Sequence, residues 1–561
     1  MRDERRSRAA RETLDARAEL FVEATRNFPL PGGVITIADS SGVLAECAFG
    51  HADPGGRTPM DPSRRFEIGS ISKLFTSLVV NRLVDEGRLR LDETLAEVLP
   101  WARLGPTSGT VTVARLLNHT SGLCVGADAL ADDAGEIVNS RRCVDAATAP
   151  VRFHYSNLGY LVLGEMVRAR SGRRLSDLVA EQWLDPLGMR HALAHVSQTD
   201  RSSLAVGSWP LRPDRPWAPG DPLDVATFFE VDSASGNVAA RGTDMAALMA
   251  ALLVASRHDP VGDDGAPVLS NETFSRITSS LAPSGEPTYT VAGVDAVEDS
   301  RYGMGINVER IGGHFCVSHG GGMVGYSTFM LVDCDAGVGV SVLTNANGDT
   351  LASHILARVV HADMTRRLDG RQPATGITLE SRVWTLADER IGPFASTSSG
   401  EMIDVRREGD GVRVRAQGHE GELFELPSGR YVTTHPGLRR FHLDWSDGRW
   451  VYGGEIFAAT SAVPSPSKQS ENAGLAGHYR TFSPWFPEFR IIEREGRTLL
   501  VAPGGVEAPG EEVVLVELGN DEYRLGEDPW LPERLRVLAR RDGEVVSVER
   551  DGCVYSRTFS A

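Results

Sequence analysis

Beyond Gly370 the chain changes character. Before that point apolar residues recur mainly at helical spacing. After it helical periodicity mostly disappears and short alternating runs take over. The later segment also repeats itself. Ile403–Gly418 carries Val405 to Val414 around Gly409-Asp410-Gly411, and Arg490–Gly505 carries Ile491 to Val501 around Glu495-Gly496. In each copy a Glu-Leu pair follows (Glu425-Leu426, Glu517-Leu518), then a tyrosine (Tyr431, Tyr523), then a Gly-centred hairpin (Asp447-Gly448-Arg449, Asp542-Gly543-Glu544). The repeat length is about 87–93 residues, which fits one small β-barrel per copy. Ser461–Ser470, rich in Pro and Ser, reads as a linker. The sequence thus predicts a mixed α and β unit over residues 1–372 and two β-barrel domains over 373–462 and 472–561.

Within the mixed unit, Val34–Ala38 and Val43–Phe49 flank Asp39-Ser40-Ser41-Gly42: a strand, a turn and a strand. From Ser70 onward Ile71, Leu74, Phe75, Leu78, Val79 and Leu83 fall at helical spacing, and Gly87 is a good stop. Tyr160–Ala169, Leu175–Trp183 and Met245–Ala255 read as further helices. The polar stretch from Ser256 to Arg301 reads as surface loop around one short helix. Phe315–Ser318, Tyr326–Val332 and Val338–Leu343 read as three strands at an antiparallel edge of a sheet, and a helix from about Leu351 to Arg367 closes the unit.

Composition narrows the function. A chain of 561 residues is too long for one ordinary core. The net charge of −18 argues against nucleic acid or an anionic membrane as the main partner. The charged N-terminus lacks the apolar stretch of a signal peptide, and no apolar run approaches the ~20 residues of a membrane span. A cytoplasmic location is therefore expected. The six cysteines are scattered without CxxC spacing, so they read as structural thiols. Neither a metal nor another cofactor is expected. The oligomeric state is left open, a homodimer included.

The 58 basic residues include only two lysines. Lys468 lies in the linker. Lys73 stands three residues after Ser70, in Glu67-Ile68-Gly69-Ser70-Ile71-Ser72-Lys73. Arginine keeps its proton in a protein, whereas a buried lysine amine can lose it. A chain that uses arginine almost everywhere else keeps lysine where a titratable amine is needed. Ser and Lys at i and i+3 share a helix face, with Cβ atoms about 5–6 Å apart. Lys73 therefore points to Ser70 as a nucleophile activated by an amine. A serine at a helix N-terminus also has exposed backbone N–H groups near it, and its own N–H can help hold an oxyanion.

Two further segments belong with this pair. Tyr155-Ser156-Asn157 precedes a helix and offers a phenol and a carboxamide on one side of an extended segment. Beside Lys73, the Tyr155 phenol would have a lowered pKa and could accept the Ser70 proton. Ser318-His319-Gly320-Gly321-Gly322 reads as a strand that ends in His and three glycines. Such a run lets backbone approach a ligand closely, with Gly320 and Gly321 at the substrate and Gly322 as a second oxyanion donor.

The three segments, in this order and at these separations, resemble the penicillin-recognising serine hydrolases, which include class C β-lactamases, D,D-peptidases, family VIII esterases and D-aminopeptidases. Leu116-Leu117-Asn118-His119-Thr120-Ser121-Gly122-Leu123, Trp183–Met189 and Tyr302-Gly303-Met304-Gly305 extend the resemblance over about 320 residues. It implies an α+β fold: an antiparallel sheet flanked by helices, a helical subdomain, and an active site between them. It also implies roles for Ser70 (acylated nucleophile), Lys73 and Tyr155 (proton transfer) and Asn157 (holding the substrate amide or Lys73). His319 stands where β-lactamases and most D,D-peptidases carry a lysine, a departure that argues against efficient β-lactamase action. A D-aminopeptidase subfamily has the same domain followed by two barrels, the last of which sends a loop into the active site. Here the acidic hairpin Gly519-Asn520-Asp521-Glu522 is the candidate, with Asp521 and Glu522 as ligands for a substrate ammonium.

The resemblance implies a serine hydrolase that acts on a small-molecule or peptide-like amide or ester through an acyl-enzyme. The alternative is an acyl-transferring relative of the penicillin-binding-protein-type thioesterases, in which an amine replaces water as acceptor. A third reading, an inactive scaffold, sits poorly with an intact set of Ser70, Lys73, Tyr155, Asn157 and His319.

Overall fold

The computed structural model describes residues 2–102, 104, 110–126, 133–140, 151–228, 230, 232–257, 267–346, 351–379, 381–383, 386–459, 473–483, 485–504 and 511–557. The N-terminal unit is built on seven antiparallel strands: β1 (Gly32–Asp39), β2 (Gly42–Gly50), β3 (Val297–Tyr302), β4 (Asn307–Ile311), β5 (His314–Met323), β6 (Tyr326–Asp333) and β7 (Val338–Thr344). Their order in space is β2-β1-β7-β6-β5-β4-β3. Gly33 of β1 pairs with Thr344 of β7, so the two ends of the unit meet in mid-sheet. The strands expected at an edge (β5, β6 and β7) are therefore central. The reason is burial: β1, β6 and β7 are buried at every position, and unbroken apolar runs belong to strands covered on both faces. The true edges are β2 and β3. β3, with the sequence Val-Glu-Asp-Ser-Arg-Tyr, lies in the stretch expected to be loop. A largely solvent-facing edge strand has no apolar alternation to reveal it.

Among the helices that position the rest are α1 (Arg2–Ala16), α2 (Ala18–Asn27), α3 (Ser72–Asp85), α4 (Asn157–Ser171), α5 (Gly242–Ser256) and α6 (Ala352–Leu368). One sheet face packs against α1, α2 and α6. The other packs against α5 and continues into the helical subdomain around α3 and α4. α3 is buried on most of its circumference, as its apolar spacing requires, and Gly87 beyond its end takes φ +69°. α4 is capped by Ser156, whose side chain accepts the Gly159 N–H, so Asn157 is the first helical residue. α2's N-terminal neighbour Arg17 ties this layer together. Its Nε lies 2.6 Å from Oδ2 of the fully buried Asp363 on α6, and Asp363 Oδ1 accepts the Ala374 N–H at 2.8 Å.

The C-terminal repeat is a pair of closed eight-stranded barrels, Gly392–Ala459 and Gly477–Arg557. The repeated hairpins occupy equivalent places: Met402–Glu408 with Gly411–Ala416, and Glu488–Arg494 with Arg497–Val501. Tyr431 and Tyr523 are buried on the fifth strand of each barrel. The Ser461–Ser470 segment lies outside the described residues. Among the described residues no helix is long and apolar enough to cross a membrane.

Replacing Arg17 by Met strands the buried Asp363 carboxylate without its cation. The urea-unfolding transition of the N-terminal unit should lose about 3–5 kcal/mol. A loss below about 1 kcal/mol would mean the pair does not anchor the N-terminal helices.

Candidate active site

The turn that carries Ser70 touches β5 backbone to backbone. Gly69 takes φ +54°, and a Cβ there would lie 2.6 Å from the Gly322 carbonyl oxygen and 2.7 Å from the Gly322 nitrogen. A Cβ on Gly321 would overlap the Ile68 carbonyl, the same oxygen that accepts the Thr328 hydroxyl at 2.9 Å. The glycine run is thus a dock for Ile68–Ser70. It sets the Ser70 and Gly322 peptides in adjacent segments, the placement that two oxyanion donors need. β5 continues through the glycines to Met323; it does not end at His319, because Gly320 to Met323 pair with Phe329 to Tyr326 of β6.

Lys73 is fully buried, and its Nζ donates to Ser70 Oγ at 2.8 Å and to the Ser235 carbonyl at 2.9 Å. Ser70 retains 4% exposure. Two rings flank the amine, with centroids 4.9 Å (Tyr155) and 5.5 Å (Tyr160) from Nζ. Sequence reasoning missed Ser235. It belongs to Asp232–Val238, a segment held by Thr76 Oγ1 to the Ala234 carbonyl (2.8 Å), by Val238 N–H to Ser72 Oγ (3.1 Å) and by Asn237 Nδ2 to Asp232 (3.0 Å). Its Ser, Gly and Asn residues announce a turn, and nothing local says which helix the turn meets.

His119 stacks on Tyr155 with centroids 4.3 Å apart. Its Nδ1 accepts the Ser156 N–H at 3.1 Å, which assigns the ring proton to Nε2. Burial, and after it the charge of Lys73, hold this imidazole well below its usual pKa, so it is neutral. His319 is also fully buried. Its Nδ1 lies 2.6 Å from the Gly320 carbonyl and its Nε2 lies 2.8 Å from the Tyr302 hydroxyl. The carbonyl fixes the proton on Nδ1, so Tyr302 donates to Nε2; burial pushes the Tyr302 phenol well up. Alternation along β5 puts His319 on the face of Gly321, which meets the Ser70 turn, whereas Ser318 and Gly320 point to the α6 side and line the cleft from there. On the Ser70 side His319 holds Tyr302, whose ring meets His119 and Tyr155. Gly321 likewise faces Ile68.

A cleft of about 570 Å³ opens beside Tyr155 and Asn157, with Ser70 and Lys73 behind its lining. Tyr155 and Asn157 form part of one wall, and Gly320, Phe329 and His354 part of another. The C-terminal barrel supplies the opposite side with Trp485, Phe486, Leu525, Leu531 and Tyr555. The expected acidic hairpin is not there. Asp521 pairs with Arg540, and Glu522 with Arg534 and Arg536, arginines of the neighbouring strand that draw the hairpin acids away from the cleft lining. The barrel reaches the cleft through the loop before its sixth strand instead. Glu533 Oε1 lies 2.7 Å from His154 Nε2 and accepts the Val125 N–H at 3.1 Å. Arg152 pairs with Asp528 at 3.0 Å and stands over the Trp530 ring. Burial pushes the Glu533 carboxyl up, but the His154 bond, its charge and the Val125 N–H outweigh burial, leaving it below the ordinary range and ionised. Asp551, also in the lining, is pushed up to about 6 by burial. Glu286, bound by Asn307 Nδ2, is raised by burial. None of these three acids carries a sequence signal, since each reaches the cleft only through tertiary packing.

Two outcomes follow from this geometry. Gly69→Ala forces a Cβ into the Gly322 backbone at a positive φ, so acylation at Ser70 should fall by at least about 100-fold while the barrels still fold; near-normal acylation would show that the contact is dispensable. Glu67, in the strand just before the turn, is pushed up to about 8 by burial. Its folded-state pKa exceeds the unfolded value of about 4.5, so stability is lost as pH rises from about 4.5 to about 8. Glu67→Gln should melt higher than wild type at pH 8 and gain little at pH 4; equal gains at both would rule out the titration.

The sequence profile described as Beta-lactamase matches residues 19–363. A D-aminopeptidase of Cereibacter sphaeroides (strain KD131 / KCTC 12085) is 27% identical over 426 residues, 69% of this chain and 76% of that protein. Protein flp of Staphylococcus aureus (strain MW2) is 26% identical over 191 residues, 32% of this chain and 38% of that protein. Penicillin-binding protein 4 of Amycolatopsis lactamdurans is 30% identical over 185 residues, 32% of this chain and 48% of that protein. The chain thus spans less than half the length of the last two. The octameric penicillin-binding protein homologue from Pyrococcus abyssi superposes with a TM-score of 0.54 at 21% identity, covering 80% of this chain and 99% of that one. The D-amino acid amidase from Ochrobactrum anthropi SV3 complexed with L-phenylalanine amide gives 0.50 at 21% identity, over 64% and 98%. At these identities the two structures speak to the fold. With its profile matched across residues 19–363 of 561, this chain belongs to the beta-lactamase family, within the serine hydrolase superfamily.

Proposed function

We propose that the protein cleaves an amide or ester bond of an amine-bearing acyl donor through an acyl-enzyme at Ser70, in the manner of a D-aminopeptidase. The observation that carries this reading is the buried Lys73 amine, 2.8 Å from Ser70 Oγ with the Tyr155 ring beside it. Ser70 Oγ attacks the carbonyl carbon, and its proton passes to the Lys73–Tyr155 base pair. The backbone N–H groups of Ser70 and Gly322 hold the oxyanion. The base pair then gives the proton to the leaving group, and the acyl-oxygen bond to Ser70 is later broken by water that loses its proton to the same base. Glu286 and Glu533 supply acidic chemistry suited to a substrate ammonium, and the cleft arginines Arg358 and Arg550 are opposed by Glu309 and Asp551. Similarity to the D-aminopeptidase, which extends into the barrel region, supports the same reading.

The cleft's volume and its aromatic barrel wall favour a second reading, acyl transfer, since there is room for an acyl donor and an amine acceptor together. Turnover of D- and L-alanine p-nitroanilide, p-nitrophenyl butyrate, nitrocefin and a D-aminoacyl thioester offered with an amine separates the two. The D-anilide should turn over, Ser70→Ala should abolish its turnover and the acyl-enzyme mass, and Tyr155→Phe should lower kcat by about 10²–10⁴-fold. Silence on the anilides with aminolysis of the thioester would sink the aminopeptidase reading and leave acyl transfer.

A further inference from the structure

On the sheet face away from Ser70, side chains of metal-ligating type converge from three elements. Cys316 on β5 and Asp333 on β6 are direct cross-strand partners, so their side chains leave the same face. His361 comes down from α6. Cys316 Sγ, a carboxylate oxygen of Asp333 and a ring nitrogen of His361 all lie within 4.8 Å of one another, and all three residues are buried. His314, two residues before Cys316 and therefore on the same face, brings a second imidazole to the Asp333 carboxylate. Its Nδ1 lies 2.7 Å from Asp333 Oδ2, and His361 Nε2 lies 3.0 Å from that same oxygen. One carboxylate oxygen thus gathers two imidazoles beside a thiol. The His314 side chain is 39% exposed and, with His361, lines a small cavity of about 30 Å³, which gives a path from solvent. The surrounding field suits a cation. The charges acting most on Cys316 are Asp333 and Glu309, and those on His314 are Asp333, Asp335 and Asp369. The arginines near the cavity are opposed: Arg358 by Glu309, Arg371 by Asp369 and Arg366 by Asp295.

We propose that Cys316, Asp333 and His361 form a binding site for a zinc-type divalent cation, with His314 on the shared Asp333 oxygen at its solvent side. A thiolate, an imidazole and a carboxylate are three donors of a tetrahedral set for a borderline-soft ion, the fourth position being open to water. On binding, the Cys316 thiol releases its proton to solvent, and the His361 imidazole stays neutral by carrying its proton on the ring nitrogen away from the metal. The site bolts β5 and β6 to α6. β5 runs from these ligands to Gly320–Gly322, and Arg358, three residues before His361 on α6, lines both the small cavity and the large cleft. The cation would therefore brace the strand on which the Ser70 turn rests, without touching substrate.

Cobalt(II) titration of the chelator-treated full-length protein under reducing conditions tests this. Wild type should take up one equivalent, with tetrahedral ligand-field bands and a thiolate-to-cobalt charge-transfer band that zinc abolishes. Cys334→Ser, which alters a neighbouring thiol, should behave as wild type; Cys316→Ser should lose the charge-transfer band. His314→Gln, at a partly exposed position that leaves the fold intact, should weaken binding by roughly 10-fold or more. Zinc should also raise the melting temperature of wild type and not of His361→Gln. No thiolate band in wild type, a band that survives Cys316→Ser, or zinc stabilisation that survives His361→Gln would overturn the proposal.

Discussion

The contact on which the candidate site depends is between two stretches of main chain. Ile68–Ser70 lies against Gly320–Gly322 at a separation that excludes a Cβ at Gly69 or Gly321. Side chains cannot mediate such a contact, so its cost falls on glycine and its gain is rigidity. The Ser70 peptide inherits the position of a strand that is paired on both sides, and that position is fixed before any substrate arrives. The buried Lys73 amine follows from this. It reaches Ser70 because α3 begins where the turn ends, and the Ser235 carbonyl and the flanking rings hold an amine that burial alone would disfavour.

A second layer of control comes from the barrels. The C-terminal barrel is a wall of the cleft, and its Glu533 is joined to His154, the residue before Tyr155. Whatever moves the barrel therefore moves the segment that carries the phenol and the carboxamide. The aromatic residues on the barrel side bound the cleft opposite Tyr155 and Asn157.

Much of this was legible in the sequence, and the reason differs by residue. α3 could be read because its apolar positions repeat at a helical period, and Lys73 because arginine replaces lysine almost everywhere else. The barrels could be read because their strands alternate and the pattern occurs twice. β3 could not be read, since an exposed edge strand has no apolar period. The centrality of β5, β6 and β7 was hidden because β1, their completing partner, is remote in the chain. The acids at the cleft were misassigned to Asp521 and Glu522: a hairpin tip looks available in sequence, yet here its acids fold back onto Arg540, Arg534 and Arg536.

The sequence by itself determined the family, the α+β unit followed by two repeated β-domains, and the short-range pairs: Ser70 with Lys73, Tyr155 with Asn157, and the glycine run. These features are local, set by periodicity and by spacings within one element. Tertiary structure alone decided which face of β5 meets Ser70, that His319 holds Tyr302, that Glu533 and Asp551 border the cleft, and that Cys316, Asp333 and His361 converge. Those relations join positions tens to hundreds of residues apart, and the physical agent that brings them together is the packing of sheet, helices and barrel, which no single segment encodes.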